Sequence, residues 1–175
     1  MLFSGYLFAL SEQLLINLDQ LPGDDRTQVA FVAVDSMVHF YQFNPGSRRL
    51  PKELIVDEVD EMFLPTHRGI LVSLKKNIDA IRSFVEKLPV LFEKASSSSN
   101  CLGAALKIVH ELIAEIGGRI TVFQATLPNI GPGCLKPRED PNQRAGNVSL
   151  QRMRPFYFIY RILYAFLIFF SNPIV

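Results

Sequence analysis

One stretch decides the fold: Gly117-Gly-Arg-Ile-Thr-Val-Phe-Gln124. A helical pattern runs into the two glycines, which end a helix well because glycine adopts a positive φ without strain. A short, largely apolar run typical of a buried strand follows, and a loop beginning at Pro128 ends it. Helix, glycine stop, strand and loop form one half of an α/β unit, so we expect an α/β fold with Arg119–Gln124 buried.

The composition is that of one folded domain rather than a disordered chain. The chain has 175 residues, of which 49% are apolar and 20% are charged. All 17 acidic residues precede position 141, whereas residues 141–175 carry only basic charge, on Arg144, Arg152, Arg154 and Arg161. The body of the chain has no overall basic excess, which argues against nucleic acid as a partner.

The cysteines and acids do not have the spacing of a metal site. Cys101 and Cys134 are too few for a disulfide framework or a cysteine-rich zinc site, and indicate free thiols in a reducing compartment. The acidic segment at residues 57–61 lacks the ligand spacing and the glycine of an EF-hand loop. We therefore expect neither a bound metal nor a cofactor.

Apolar periodicity predicts the main elements. A leucine stripe over residues 7–21 indicates an amphipathic helix. Residues 27–34 and 37–43 are β-prone and joined by two polar residues, which predicts a hairpin. A short strand is expected at residues 54–56. The helical period returns in two further stretches, at about residues 77–92 and 102–116.

Asp35, Ser36 and His39 together contain the residue types of a hydrolytic site. However, Ser36 and His39 differ in strand parity, so a regular strand points them to opposite faces. The Gly-x-Ser-x-Gly motif that exposes a serine nucleophile is also absent from the sequence. A turn is the better interpretation, and the chain is not expected to be an enzyme.

The sequence resembles the trunk domain of the COPII cargo-adaptor subunit, the Sec24 family, over residues 11–147. The resemblance is far more specific than any single motif. Its main motifs are Leu102-Gly-Ala-Ala-Leu106, Gly117 to Gln124, Leu127-Pro-Asn-Ile-Gly-Pro-Gly133 and Leu135-Lys-Pro-Arg-Glu-Asp140. Earlier pieces agree in order and spacing, namely Asn17-Leu-Asp-Gln-Leu-Pro22, Arg26-Thr27, Val34-Asp-Ser-Met-Val-His-Phe-Tyr41, Phe63-Leu-Pro65 and Leu71-Val-Ser-Leu74.

The resemblance implies a von Willebrand A-like doubly wound sheet with helices on both faces. It implies a protein-interaction module that binds a Sec23-type coat subunit and acts in endoplasmic reticulum to Golgi transport, at the cytosolic face of the endoplasmic reticulum and on COPII vesicles. Arg26 matches the family position of a cargo-contacting arginine in a pocket that recognises a folded SNARE. The planar guanidinium suits that role, since it donates paired hydrogen bonds to carboxylates or carbonyls.

The sequence also departs from the family pattern. The family's zinc ribbon and its β-sandwich, helical and gelsolin-like modules are not seen, and the chain begins at the helix that should follow the first trunk strand. That strand would lie centrally, between the hairpin and the strand after Gly118. We therefore expect an incomplete sheet, with unpaired backbone groups on both neighbours of the gap.

The tail departs as well, so we divide the chain into a trunk-like part, residues 1–147, and an atypical tail, residues 148–175. Pro155 to Phe170 is almost wholly apolar and aromatic, but it contains Arg161. As a helix this run would span about 24 Å, short of the roughly 30 Å hydrocarbon core of a bilayer. An interfacial or packed helix is thus expected rather than a spanning one, with membrane contact through residues 155–170 left open.

Two other classes of function remain. One is a small membrane-associated protein anchored by its apolar tail. The other is a metal-dependent adhesion-type A domain, which should carry an Asp-x-Ser-x-Ser motif; the sequence has none. The leading interpretation is that the chain is a truncated coat-adaptor trunk.

Overall fold

In the computed structural model, helices cover both faces of a β-sheet whose strands differ in length. The structure describes residues 3–21, 25–44, 46, 49–93, 99–124, 126–135 and 165–171, and of residues 3, 4 and 165–171 the backbone alone. The helices are α1 (Phe3–Asn17), α2 (Ile78–Leu91) and α3 (Leu102–Ile113). The strands are β1 (Gln28–Val34), β2 (Val38–Gln42), β3 (Lys52–Val56), β4 (Val72–Ser73), β5 (Arg119–Phe123) and β6 (Ala165–Ser171).

The hairpin expected around Asp35 is confirmed. Strands β1 and β2 pair antiparallel, with Val34 opposite Val38. The Asp35 amide donates to the carbonyl of Met37 at 3.0 Å, and the Asp35 carboxylate accepts the Met37 amide at 2.7 Å. A side chain that bonds the backbone two residues further on is the usual way in which aspartate stabilises a turn.

Strand β1 is the centre of the fold, because its two faces look into two different cores. On one face, Val29, Phe31 and Ala33 pack with α1 and α2. On the other face, the alternate residues pack with α3. From Val29 onward every residue of β1 is at most 2% exposed. This is the pattern of a strand covered on both sides, and it confirms the expected helices on both faces of the sheet.

The two later helices have the predicted extents to within a few residues. Pro89 lies inside the last turn of α2, where the helix is ending. After α3 the amide of Gly117 donates to the Ile113 carbonyl at 2.8 Å, and Gly117 has a φ of 72°. The glycine stop that the sequence predicts is therefore present, and β5 follows it directly.

The expectation of a gap in the sheet was wrong. The strand order is β3-β2-β1-β6-β5, with β4 pairing separately with β1, so β6 lies where the gap was expected. It pairs antiparallel with both neighbours, from Gln28–Ser171 to Val34–Ala165 on the β1 side. Every strand ladder among the described residues is antiparallel, whereas a doubly wound sheet is mostly parallel, so the expected doubly wound strand pairing was wrong for these residues.

The expectation of a helix in the tail was also wrong for the part of the tail that the structure describes. Residues 165–171 form a strand rather than the end of a helix. The rest of the apolar run, residues 155–164, lies outside the described residues, as does the proposed boundary at 147–148. A continuous apolar run is equally typical of a helix and of a strand buried on both faces, so periodicity alone did not distinguish them.

Strand β5 is less buried than its sequence predicts. None of its residues is fully buried, and Arg119 and Val122 are exposed, as is Gln124 just beyond it. The cause is position: β5 is the last strand at its end of the described sheet. Its apolar residues pack inward only in part, Ile120 against the α3 core and Phe123 against the α1–α2 core.

Candidate functional site

Arg26, the residue expected to contact cargo, lies in the turn that leads into β1 and is exposed. Its neighbour Asp25 is paired with Lys75, whose ammonium contacts the Asp25 carboxylate. These two side chains are 84% and 60% exposed. An ion pair in such a setting contributes less than about 1 kcal/mol, so it does little to fix the turn.

The turn is held instead by the backbone on its β1 side. Thr27 is buried, and its carbonyl accepts the amide of Leu74 at 2.9 Å. One residue further along, β1 pairs with β4, Gln28 opposite Ser73. Arg26 is therefore displayed from a segment whose backbone is fixed next to the beginning of the sheet.

A small open pocket of about 170 Å³ lies beside this turn. It is lined by Leu18, Asp19, Leu21, Thr27, Leu74, Lys75 and Ile78. Leu18 and Leu74 are buried and form its aliphatic floor, whereas Asp19 and Lys75 are more than half exposed and lie at its rim. Asp19 also binds Arg82 through both carboxylate oxygens at 2.9 Å.

This pocket suits a peptide side chain better than a cofactor. Its volume is below the roughly 300 Å³ at which pockets for small molecules begin. The aliphatic floor offers apolar contact for one side chain, and the acid and the base at the rim offer one polar partner of each sign. Arg26 is next in the chain to Thr27, one of the lining residues.

The structure brings Asp35 and His39 together, but with Glu53 rather than with Ser36. His39 Nε2 lies 3.2 Å from Asp35 Oδ1, and Nδ1 lies 3.0 Å from Glu53 Oε1. The hydroxyl of Tyr41 donates to the same Glu53 oxygen at 3.3 Å. Sequence reasoning missed Glu53, because only the register of β2 and β3, which sets it opposite Tyr41, brings it near His39.

The surroundings of His39 favour its charged form. Burial works to lower the pKa of the imidazole, but the hydrogen bond and negative charge of Asp35, together with Glu53, hold it above its ordinary value. His39 is thus held between two carboxylates, with Nε2 toward Asp35 and Nδ1 toward Glu53.

Cys101 lies near this cluster but is not a reactive thiol. Its amide donates to the Asp35 carbonyl at 2.8 Å, and its side chain is buried. Burial, followed by the charge of Asp35, raises the pKa of the thiol to about 11. The thiol is therefore protonated at neutral pH and a poor nucleophile.

Across the part of the chain that the structure describes, no three histidine, cysteine or carboxylate side chains come close enough to hold a metal ion. In the same residues, no helix has both the length and the apolar character needed to cross a membrane.

Comparison with known proteins gives one consistent family. Residues 2–157 match the model of the Sec23/Sec24 trunk domain. The chain is 41% identical to the human "Protein transport protein Sec24B" over 160 residues, which are 91% of this chain and 12% of that protein. It is 36% identical to the "Protein transport protein sec24" of Schizosaccharomyces pombe over 153 residues, 87% of this chain and 16% of that protein.

A solved structure agrees with this result. The chain is similar to the crystal structure of the human COPII-coat protein Sec24c, with a TM-score of 0.67 and 26% identity. The match covers 79% of this chain and 19% of that one. The sequence therefore spans less than a fifth of each of these three relatives.

Proposed function

The chain belongs to the Sec23/Sec24 trunk domain family, and from this membership we propose that it is a protein-interaction module of the inner COPII coat, not an enzyme. It takes part in cargo selection for transport from the endoplasmic reticulum to the Golgi, at the cytosolic face of the endoplasmic reticulum and on COPII vesicles. The observation that carries the proposal is the identity of 36% to 41% with Sec24 proteins of yeast and human over most of this chain.

The first proposed partner is a Sec23-type coat subunit. The supporting observation is that one family model describes the trunks of both Sec23 and Sec24, so the two subunits contain domains of one kind. The test is a titration of the purified full chain with a purified Sec23-type subunit, followed by analytical ultracentrifugation. A heterodimer at micromolar concentration is expected. Two separate species over the whole titration would contradict the proposal.

The second proposed partner is a SNARE or another membrane cargo, bound at Arg26 and the pocket beside it. Three observations support this: the exposed guanidinium, the fixed backbone at Thr27 and the aliphatic pocket with charged rim residues. In this arrangement a cargo side chain fills the pocket while Arg26 holds a carboxylate or carbonyl of the same segment.

Three variants test the role of Arg26. Arg26→Ala removes the guanidinium, Arg26→Lys keeps the charge but not the planar fork, and Lys107→Ala removes an exposed cation from α3 as the matched control. We expect the first variant to weaken SNARE binding about tenfold or more, the second to weaken it less, and the control to leave it unchanged, all with unaltered unfolding midpoints. Unchanged binding in a folded Arg26→Ala variant would reject the site.

The finer description of the fold is also a proposal: a von Willebrand A-like sheet in which β6 takes the place of the central strand. The helices on both faces and the doubly covered β1 support it. The division of the chain at residues 147–148 is proposed with it. Limited proteolysis should cut first near this boundary, and early cleavage within α2 or α3 would contradict the division.

A further inference from the structure

The sheet contains a groove that is one strand wide, and its walls belong to different parts of the chain. Strands β1 and β5 do not pair with each other; β6 lies between them and pairs with both. Through β6, Val29 is level with Arg119, because both are opposite Phe170. Likewise Ala33 is level with Phe123, both opposite Phe166. Neighbouring strands lie about 4.8 Å apart, so the two walls are about 9.6 Å apart.

The β5 wall has anchors besides its pairing with β6. Its beginning is fixed by the end of α3 at Gly117. Beyond its end, the buried Asn100 binds the next loop: its side-chain amide donates to the Thr126 carbonyl at 2.9 Å, and its backbone amide donates to Asn129 Oδ1 at 2.8 Å. Packing of Ile120 and Phe123 into the two cores holds β5 in the plane of the sheet.

The β1 wall requires a partner strand. With β6 in place, Val29 to Val34 are at most 2% exposed, and β6 pairs with β1 along its whole length. Without β6, the backbone amides and carbonyls on that side of β1 would have no strand to pair with. An empty groove would leave an open sheet edge on each wall, and an extended strand that fits between the walls pairs with both edges.

The segment that fills the groove has the character of a bound peptide. Ala165-Phe-Leu-Ile-Phe-Phe-Ser171 carries no charge and is apolar at all but its last position. Residues 136–164 connect it to the body, so it reaches the groove from a long stretch of chain rather than from an adjoining turn.

We propose that the groove between β1 and β5 is a strand-binding site, with residues 165–171 as its own ligand bound within the same chain. The site takes an extended, uncharged, apolar segment that runs antiparallel to both walls, a form of β-augmentation. A separate peptide of the same sequence competes for the groove, and a second copy of the chain supplies its own strand only at high protein concentration.

Cleavage of the connection tests the proposal on the full chain. A protease site is inserted between Gly146 and Asn147, and the folded protein is cut. We expect the released C-terminal piece to stay with the body through gel filtration. Excess of a lysine-flanked peptide of residues 165–171 should then displace it, whereas the same peptide with proline in place of Ile168 should not, because proline cannot donate to the ladder. Release of the piece on cutting, or equal displacement by both peptides, would overturn the proposal.

A cysteine pair tests the register in the uncut chain. Thr121 lies opposite Ile168, so cysteines at these positions are within the Cα separation that a disulfide requires. In a Cys134→Ser background, Thr121→Cys with Ile168→Cys should oxidise readily to an intramolecular disulfide. Thr121→Cys with Ser171→Cys, out of register, is the control and should not. Equal oxidation of both pairs would overturn the proposed pairing, and a predominantly intermolecular disulfide at low protein concentration would overturn binding within one chain.

Discussion

The imidazole of His39 joins Glu53 of β3, 3.0 Å from its Nδ1, to Asp35 of the hairpin turn, 3.2 Å from its Nε2. One nearly buried ring thus connects two neighbouring strands with the turn that follows β1. The protonated ring donates from both nitrogens, which matches the two carboxylate acceptors.

We predict that this contact makes stability depend on pH. The pKa of His39 is raised in the folded protein, so folding favours the protonated form. The stabilisation is fully present below the unfolded pKa, about 6.5, and is lost as the pH rises through the folded value. His39→Gln should therefore cost more free energy of unfolding at about pH 5.5 than at about pH 8.5. Urea denaturation measures both values.

The exposed His67 supplies the control. His67→Gln should lower stability by less than about 0.5 kcal/mol at either pH, as surface substitutions usually do. A cost of His39→Gln that is the same at both pH values would contradict the assigned ion pair, and an NMR titration midpoint for His39 below about 6.5 would contradict the direction of the pKa shift.

Phe84 should be among the most costly core positions to truncate. Its ring lies 4.6 Å from that of Tyr41, 5.5 Å from Phe31 and 5.8 Å from Phe43, measured between centroids. Phe84→Ala leaves a cavity among these rings and should lower the free energy of unfolding by about 3 to 5 kcal/mol. On the same helix, Leu91→Ala alters a side chain that is 49% exposed and should cost far less. Similar costs for the two variants would refute this packing.

Two glycine substitutions should change the stability of the protein in opposite directions. A Cβ on Gly103 would clash with the Pro132 carbonyl oxygen, so Gly103→Ala forces α3 away from the loop after β5. A loss of about 1 to 3 kcal/mol is expected from such overpacking. At Gly5 in α1 a Cβ meets nothing within 4 Å, and Gly5→Ala should stabilise by about 0.5 to 1 kcal/mol. Thermal unfolding measures both, and stabilisation by Gly103→Ala would show that this close approach is absent.

The substitution Asn100→Asp keeps one side-chain hydrogen bond of the buried Asn100 and removes another. Its side-chain oxygen accepts the Leu102 amide at 2.9 Å, which aspartate preserves. Its amide group donates to the Thr126 carbonyl, and there aspartate would place a buried charge against an acceptor. We expect a loss of about 2 kcal/mol or more in urea unfolding, with Asn44→Asp, at an exposed asparagine, as the control. Equal stability of the two variants would contradict the assigned hydrogen bonds.

The parts of the fold that local sequence determines were the parts predicted correctly. The β1–β2 hairpin follows from two β-prone runs around a polar pair, and the end of α3 follows from Gly117. The position of β6 could not be derived in this way, because its partners Gln28 and Arg119 are far from it in sequence and from each other. For the candidate site, Arg26 was found only by resemblance. Leu74 and Lys75 reach the same pocket through the β1–β4 pairing, which no local pattern encodes.

The place of β6 in the sheet also has a consequence for synthesis on the ribosome. Gln28 pairs with Ser171, so the middle of the sheet joins residues made early with residues made late. While residues up to 164 emerge, the hairpin, α2 and α3 have already been translated. The edge of β1 that will pair with β6 still has no strand beside it. An open apolar edge in a nascent chain attracts other chains as readily as its own. Chaperones that bind extended apolar segments would therefore act on this protein mainly between translation of α3 and translation of β6.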